Sequence, residues 1–479
     1  MWWFGQSVHS SWALALAGTL FVVGVFLALW IQLPLWVGLV ALPILIALLF
    51  VRKVVALPII GCMAIGTGIS YGSAHLIGRS IYEEYIGLTG IIAGRVKEDI
   101  SVTSSGSKSI QLDHVTINDR ALPGSILVTA RSAGEALRGD TLVVEGMIRA
   151  GFGSFPASVT ATRILSVERQ GPGDLGRVVR DWFAAKVRSN IPDPQASLGI
   201  GFLTGQKSAL PTDLSEALKI AGLSHIVVAS GYNLTILVRA ARKLLLKVSK
   251  YLSALFSGLM IAAFLAVTGL SPSMTRAGLV SSMSLLSWYY GHGFHPLVLL
   301  PIAAAITVAF QPSYVWGDMG WQLSFVAFAG VMIVAPLLQA YFFGNKEPGT
   351  FRQILGETIA AHIVTIPIIA ISFGSISNVA VIANLLVVPL VPLAMLLTFI
   401  CGLLAVMSIP FAFVIAVPTT WLLTYMTQVA TFVSELPWAQ NQLELAPFVW
   451  IVYGAVVSML CFWMWRKTKY NFRNGEVLY

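Results

Sequence analysis

Charge is what this sequence lacks most: Asp, Glu, Lys and Arg make up only 11% of its 479 residues. Soluble domains carry about 25%, so the chain cannot cover a water-facing globule of this length, and a wholly soluble fold is excluded. Cysteine is scarce as well. Cys62, Cys401 and Cys461 fall in apolar runs without CxxC or Cys/His spacing, so neither a disulfide framework nor a zinc site is expected. His292 and His295 have no carboxylates beside them and read as a turn, so no metal and no cofactor is expected. Met1–Ser11 contains no Lys or Arg, and no small-residue cleavage pattern follows, which points to a retained first span rather than a signal peptide. No Gly-x-x-x-x-Gly-Lys-[Ser/Thr] phrase occurs, so no ATPase is expected in this chain.

What is present is apolar sequence in long runs, 57% hydrophobic with a mean hydropathy of +0.81. Runs of about 20 residues cross a hydrocarbon core as helices, which satisfy their own backbone hydrogen bonds. Roughly twelve spans fit: about 12–31, 33–51, 54–73, 223–238, 252–269, 277–290, 296–311, 321–343, 354–373, 379–406, 411–433 and 447–465. The expected fold is a polytopic α-helical membrane protein with one small all-β domain. Net charge is +9, and Lys and Arg gather in short gaps between spans. These gaps are Arg52 and Lys53; a loop with Arg239, Arg242, Lys243, Lys247 and Lys250; Lys346 and Arg352; and the tail after 465. The positive-inside rule puts them and both termini in the cytoplasm, and Ser434–Ala446 outside.

The expected domains are helices at 1–73, a polar β domain at 74–170, amphipathic helices at 171–222, a second spanning block at 223–465 and a tail at 466–479. Between Thr89 and Arg169 apolar and polar residues alternate in short runs divided by Gly, Ser, Asn and Pro. The runs Gly90–Val96, Ser109–Ile117, Ser125–Ala130, Thr141–Arg149 and Ser158–Val167 predict five strands, which suit an extracytoplasmic barrel of OB type. The segment holds 9 Lys/Arg against 8 Asp/Glu, and its only aromatics are Phe152 and Phe155. Single-strand binders of this fold combine a basic groove with stacking aromatics, so a structural role is as well supported as nucleic-acid contact. In Asp174–Ser189, Val178, Val179, Trp182, Phe183 and Val187 form an apolar stripe opposite Arg177, Arg180, Lys186 and Arg188, the pattern of a helix lying in the membrane interface.

Polar side chains inside the second block each need a reason, because a central charge costs about 2.5–3.5 kcal/mol on insertion scales. His225, Ser230 and Asn233 form one cluster. Ser271, Ser273 and Arg276 sit at the break Gly269-Leu-Ser-Pro272, and Asp318, Gln322 and Ser324 open another span. They read either as packing devices, for example an Arg276–Asp318 pair, or as the lining of a polar path. Ser230, His225 and Asp318 also have the residue types of a hydrolytic triad. On one helix, however, Ser230 and His225 would lie about 140° apart.

Four phrases occur in order: Gly222-Leu-Ser-His-Ile-Val-Val-Ala-Ser-Gly231, Thr268-Gly-Leu-Ser-Pro-Ser-Met-Thr-Arg-Ala277, Asp318-Met-Gly-Trp-Gln-Leu-Ser-Phe325 and Asn384-Leu-Leu-Val-Val-Pro-Leu390. Together they resemble the transmembrane competence domain of the ComEC family of bacterial DNA-uptake channels, over roughly residues 195–435. The resemblance implies passage of transforming single-stranded DNA across a bacterial cytoplasmic membrane during natural competence, and it adds Asn384 to the residues of the path. It also implies a DNA receptor and a cytoplasmic ATP-driven translocase as partners. The family pattern reads Ser-Gly-Leu-His where this chain has Ser230-Gly-Tyr-Asn233. Many members carry a C-terminal metallo-β-lactamase-like domain. No HxHxDH phrase is found here, so a separate nuclease is expected to remove the second strand. The alternatives are a transporter of another anionic or polymeric solute and an intramembrane hydrolase.

Overall fold

The computed structural model describes residues 9–51, 54–103, 106–131, 136–169, 174–206, 210–227, 231–245, 247, 249–269, 271–291, 295–344, 349–407, 412–442 and 445–472. The chain opens with α1 (Ser10–Leu27), α2 (Leu35–Leu49) and α3 (Ala56–Ser80). Strands follow: β1 (Thr89–Val96), β2 (Ser101–Val102), β3 (Lys108–Ile117), β4 (Arg120–Ala121), β5 (Ile126–Ala130), β6 (Thr141–Ala150) and β7 (Ala157–Glu168). Next come α4 (Leu175–Arg188), α5 (Gln195–Thr204), α6 (Thr212–Ile220), α7 (Ser224–Val227), α8 (Gly231–Leu245), α9 (Lys250–Thr268) and α10 (Pro272–Tyr290). Then follow α11 (Pro296–Phe310), α12 (Tyr314–Gly317), α13 (Met319–Phe343), α14 (Thr350–Phe373) and β8 (Ser375–Ser377). The chain continues through α15 (Ala380–Val387), α16 (Val391–Val406), α17 (Ala412–Ser434), β9 (Gln440–Gln442) and α18 (Pro447–Thr468).

Among the described residues, eight helical stretches are long and apolar enough to cross a membrane: Ser10–Leu27, Ala56–Tyr85, Lys250–Thr268, Met319–Phe343, Phe351–Phe373, Ala380–Val406, Ala412–Ser434 and Phe448–Thr468. α2 and α11 are apolar but shorter. The predicted class therefore stands, and two of the runs read as spans, 223–238 and 277–290, fall on helices outside this set. The run 223–238 is divided between α7 and α8, and α8 carries Arg239, Arg242 and Lys243 inside the helix. The run 277–290 belongs to α10, whose first turns hold Ser273, Thr275 and Arg276. Hydropathy over a short window misses both, because helix ends are set by caps and breaks rather than by the apolar run alone.

The chain divides into two compact units, the first holding Met1–Asp174 and Gly293–Gln322, the second Leu175–His292 and Leu323–Glu476. In the first, α1 and α3 pack through small residues. A Cβ on Gly24 would collide with the Ile65 carbonyl, and one on Gly68 with the Phe21 carbonyl. Such close backbone approach drives helix association where lipid supplies no hydrophobic force. Ser70 ties α2 on, its Oγ donating to Pro34 O at 2.5 Å and accepting from Gly38 N at 3.1 Å.

The same unit contains the barrel. β1 pairs antiparallel with both β3 and β6, β6 with β7 and β3 with β5, while β5 and β7 run parallel and close the circuit. That closure is the OB arrangement. The five long strands coincide with the five predicted runs, because period-2 alternation sends Ile92, Ile110, Val128, Val144 and Val159 inward to one core. β2 and β4 are short additions paired to β3. Asp140, fully buried, accepts from Leu137 N and forms a two-pronged pair with Arg169 at 3.1 and 3.0 Å.

In the second unit, α5, α6, α7, α15, α16 and α17 share one apolar core around Phe202, Leu198, Ile226, Val387 and Met426. α4 lies against α5, α9 and α16, but its faces are reversed from a simple interfacial helix. Arg177 and Arg180 are buried, paired to Asp181 at 3.6 and 3.0 Å, while Val178, Val179 and Trp182 are exposed. Phe183 and Val187 do pack inward, against Gly402.

Candidate functional site

The second unit places its polar residues at helix ends. α9 stops at Gly269, whose φ of +89° is a conformation that side-chain-bearing residues rarely adopt. Ser271 then caps α10, its Oγ accepting from Met274 N at 3.4 Å, and Pro272 occupies the first turn, where a missing N–H costs nothing. The break is thus a stop signal followed by a start signal. One turn further in, Arg276 is only 6% exposed. Its Nη2 donates to Ser273 Oγ at 3.2 Å, and its guanidinium stands 5.1 Å from the Phe325 ring centre. A guanidinium keeps its charge when buried, so α10 holds a permanent cation among apolar neighbours.

Asn233 is fully buried in α8 and acts as a tie: its Nδ2 donates to Phe202 O at 2.9 Å and to Ile226 O at 3.3 Å, carbonyls near the ends of α5 and α7. Two donors on one side-chain nitrogen suit this geometry, whereas a neutral histidine has a single N–H. His225 is exposed and its Nδ1 lies 3.0 Å from Gly222 O. Ser230 lies outside the described residues. Asn384 is buried in α15, and its Oδ1 has no hydrogen-bond partner among the described residues. Ser324 is half-buried on α13. Of the basic loop, Arg242 and Lys250 meet on Trp288, at 5.1 and 5.6 Å from the ring centre. Arg239, Lys243 and Lys247 are exposed.

In the first unit, Asp318 Oδ1 accepts from Trp321 N at 2.5 Å and so starts α13. Gln322 Nε2 donates to Val315 O at 2.9 Å, and Trp321 Nε1 to Thr307 Oγ1 at 2.9 Å. The barrel meets this loop directly. In the β6–β7 turn, Gly153 has φ +60°, and a Cβ there would lie 2.6 Å from Gly317 O. A Cβ on Gly317 would strike the Gly153 backbone in turn. Arg79 at the end of α3 clasps the same turn, donating to Gly153 O at 3.3 Å and Phe155 O at 2.8 Å. Tyr314 is pushed up to about 12 by burial and then by the carboxylates of Asp318 and Glu98, the latter in the β1–β2 turn. Phe152 and Phe155, the aromatics of the β segment, therefore belong to a docked turn. That turn is one of the two loops with which OB folds usually hold their ligands.

Gly153, Gly317 and Arg79 are structural participants that the motif reading passed over. Glycines in Gly151-Phe-Gly-Ser-Phe and Trp316-Gly317 were a signal of close backbone approach, but a partner so distant in sequence is invisible without the fold.

A closed OB barrel together with apolar helices long enough to cross a bilayer defines a multi-pass membrane protein with one small β domain. Residues 202–468, more than half of the chain, match the family model described as Competence protein. The chain belongs to that family, the ComEC family. It is also similar to ComE operon protein 3 of Bacillus subtilis (strain 168), 19% identical over 218 residues. The alignment spans 45% of this chain and 27% of that relative. No solved structure matches.

Proposed function

We propose that this chain conducts single-stranded DNA across the cytoplasmic membrane during natural transformation, with the barrel outside and both termini inside. The observation that carries the reading is Arg276, a guanidinium 6% exposed that is held by Ser273 and Phe325 beside the break between α9 and α10. Intramembrane charges mark solute paths, and guanidinium is suited to phosphate through charge-assisted, two-pronged bonds. Ser273 and Asn384 supply further polar atoms of the second unit, and Asp318 and Gln322 order the loop under the barrel. Transport is the activity proposed, with a receptor, a nuclease and an ATP-driven translocase supplied by other proteins.

The test is Arg276→Gln in a transformable host, scoring membrane abundance, surface-bound DNA and DNA reaching the cytoplasm in the same cells. The expected result is normal abundance and binding with entry abolished. An abundant mutant with normal entry would remove Arg276 from the path.

A further inference from the structure

Between Glu216 and Asp318 the sequence contains no further Asp or Glu. α8, α9 and α10 all fall within that stretch, so the basic residues where they meet have no carboxylate on their own helices. Arg239, Arg242, Lys243, Lys247 and Lys250 form no ion pair among the described residues. Aromatic faces hold two of them instead. The Arg242 guanidinium lies 5.1 Å and Lys250 Nζ 5.6 Å from the centre of the same Trp288 ring, and Lys250 is also 5.7 Å from the Tyr289 ring. Two cations gathered on one indole repel each other, and an anion received between them relieves that repulsion. Burial and then the charge of Arg239 lower the pKa of Arg242, a strain that a bound anion would reverse.

The surroundings decide what carries the anion. Immediately after Lys250, α9 turns Leu252, Leu255, Phe256 and Leu259 outward, 40 to 59% exposed, on a helix long and apolar enough to span. Tyr251 and Tyr290 are 64% and 68% exposed at the same end. A cation pair that opens onto an apolar strip fits an amphipathic anion, not a soluble one. Aromatic and basic residues at a span's end are the usual neighbours of headgroups. We propose that this junction binds an anionic phospholipid, its headgroup phosphate between Arg242 and Lys250 and its acyl chains along the outer side of α9.

The experiment measures thermal unfolding of the purified full-length protein in neutral detergent. Phosphatidylglycerol, phosphatidylcholine, inorganic phosphate and a single-stranded oligonucleotide are added separately. Phosphatidylglycerol alone should raise the midpoint. The double variant Arg242→Gln, Lys250→Gln should lose that rise, while Arg163→Gln, on the barrel, should keep it. If the double variant does not fold, photoactivatable phosphatidylglycerol on the unaltered protein serves instead, and its crosslinks should concentrate in 247–260. Equal stabilisation by phosphatidylcholine or phosphate, a retained rise in the double variant, or crosslinks elsewhere would overturn the proposal. Stabilisation by the oligonucleotide in place of phosphatidylglycerol would reassign the junction to nucleic acid and equally overturn it.

Discussion

The barrel and helices α8 to α10 treat charge in opposite ways. In the barrel, Asp140 is fully buried and meets Arg169 through two bonds, and Arg138 meets Asp174 at 2.6 Å. Charge there is balanced, 9 basic residues against 8 acidic ones between Thr89 and Arg169. Helices α8 to α10 carry cations and no carboxylate at all; Ser273 and the Phe325 ring meet Arg276, and the Trp288 ring meets Arg242 and Lys250. A matched pair fixes a fold, because removing either member strands the other in a low dielectric. A cation set among hydroxyls and rings can still accept an anion. The comparison thus separates charge matched by carboxylates from charge matched by rings, as with Arg242 and Lys250 on Trp288.

The sharpest break in that comparison is Arg169→Gln. It would leave Asp140 buried without its guanidinium and should destabilise the barrel by about 3 kcal/mol, the low end for a buried pair because Arg169 is half-exposed, read as accelerated hydrogen exchange in β6 and β7. Unchanged exchange would mean that the pair is not structural. Next in size is Asn233→Leu, which forfeits two amide bonds and leaves two carbonyls in an apolar core. A loss of about 2–3 kcal/mol is expected, with Asn233→His intermediate, measured by thermal unfolding of the purified protein. Equal stability of all three would show that Asn233 ties nothing.

Gly317→Ala probes how the barrel is mounted. Its Cβ cannot coexist with the Gly153 backbone, so the β6–β7 turn should detach and become open to protease while the barrel itself survives. A protected turn in the variant would refute the docking. The docked turn also predicts weak single-strand binding by residues 89–169 at physiological salt. Sub-micromolar, salt-sensitive binding would assign the barrel a nucleic-acid role.

The smallest effect concerns Tyr314. With its phenol raised to about 12 from 10.0, the neutral form is favoured in the fold. Its contribution to stability is therefore complete below pH 10 and lost as pH rises through 12. Asp318→Asn should bring the phenolate absorbance change to lower pH, and no movement would separate Asp318 from Tyr314.

Much of this was legible from the residues alone. Hydropathy marked the long helices, and alternation marked the five long strands, because burial on one face of a strand or around a lipid-facing helix leaves a periodic trace. The Gly269-Leu-Ser-Pro272 break was equally plain, since stop, cap and Pro are local chemistry. The candidate residues were legible as polar residues out of place, but not their partners: Ser271 proves to be a cap, Asn233 a tie between α5 and α7, and Asp318 the start of α13.

Local pattern, then, determined the membrane class, the strands and the helix breaks, because propensity, capping and burial act over a few residues. Only the tertiary structure decided that β5 and β7 run parallel to close the barrel, and that its turn rests on Gly317. It also decided that α4 turns its arginines inward and that Arg242 and Lys250 share Trp288. These are pairings between distant segments, selected by the energy of the whole packed arrangement, and no window along the chain contains both partners.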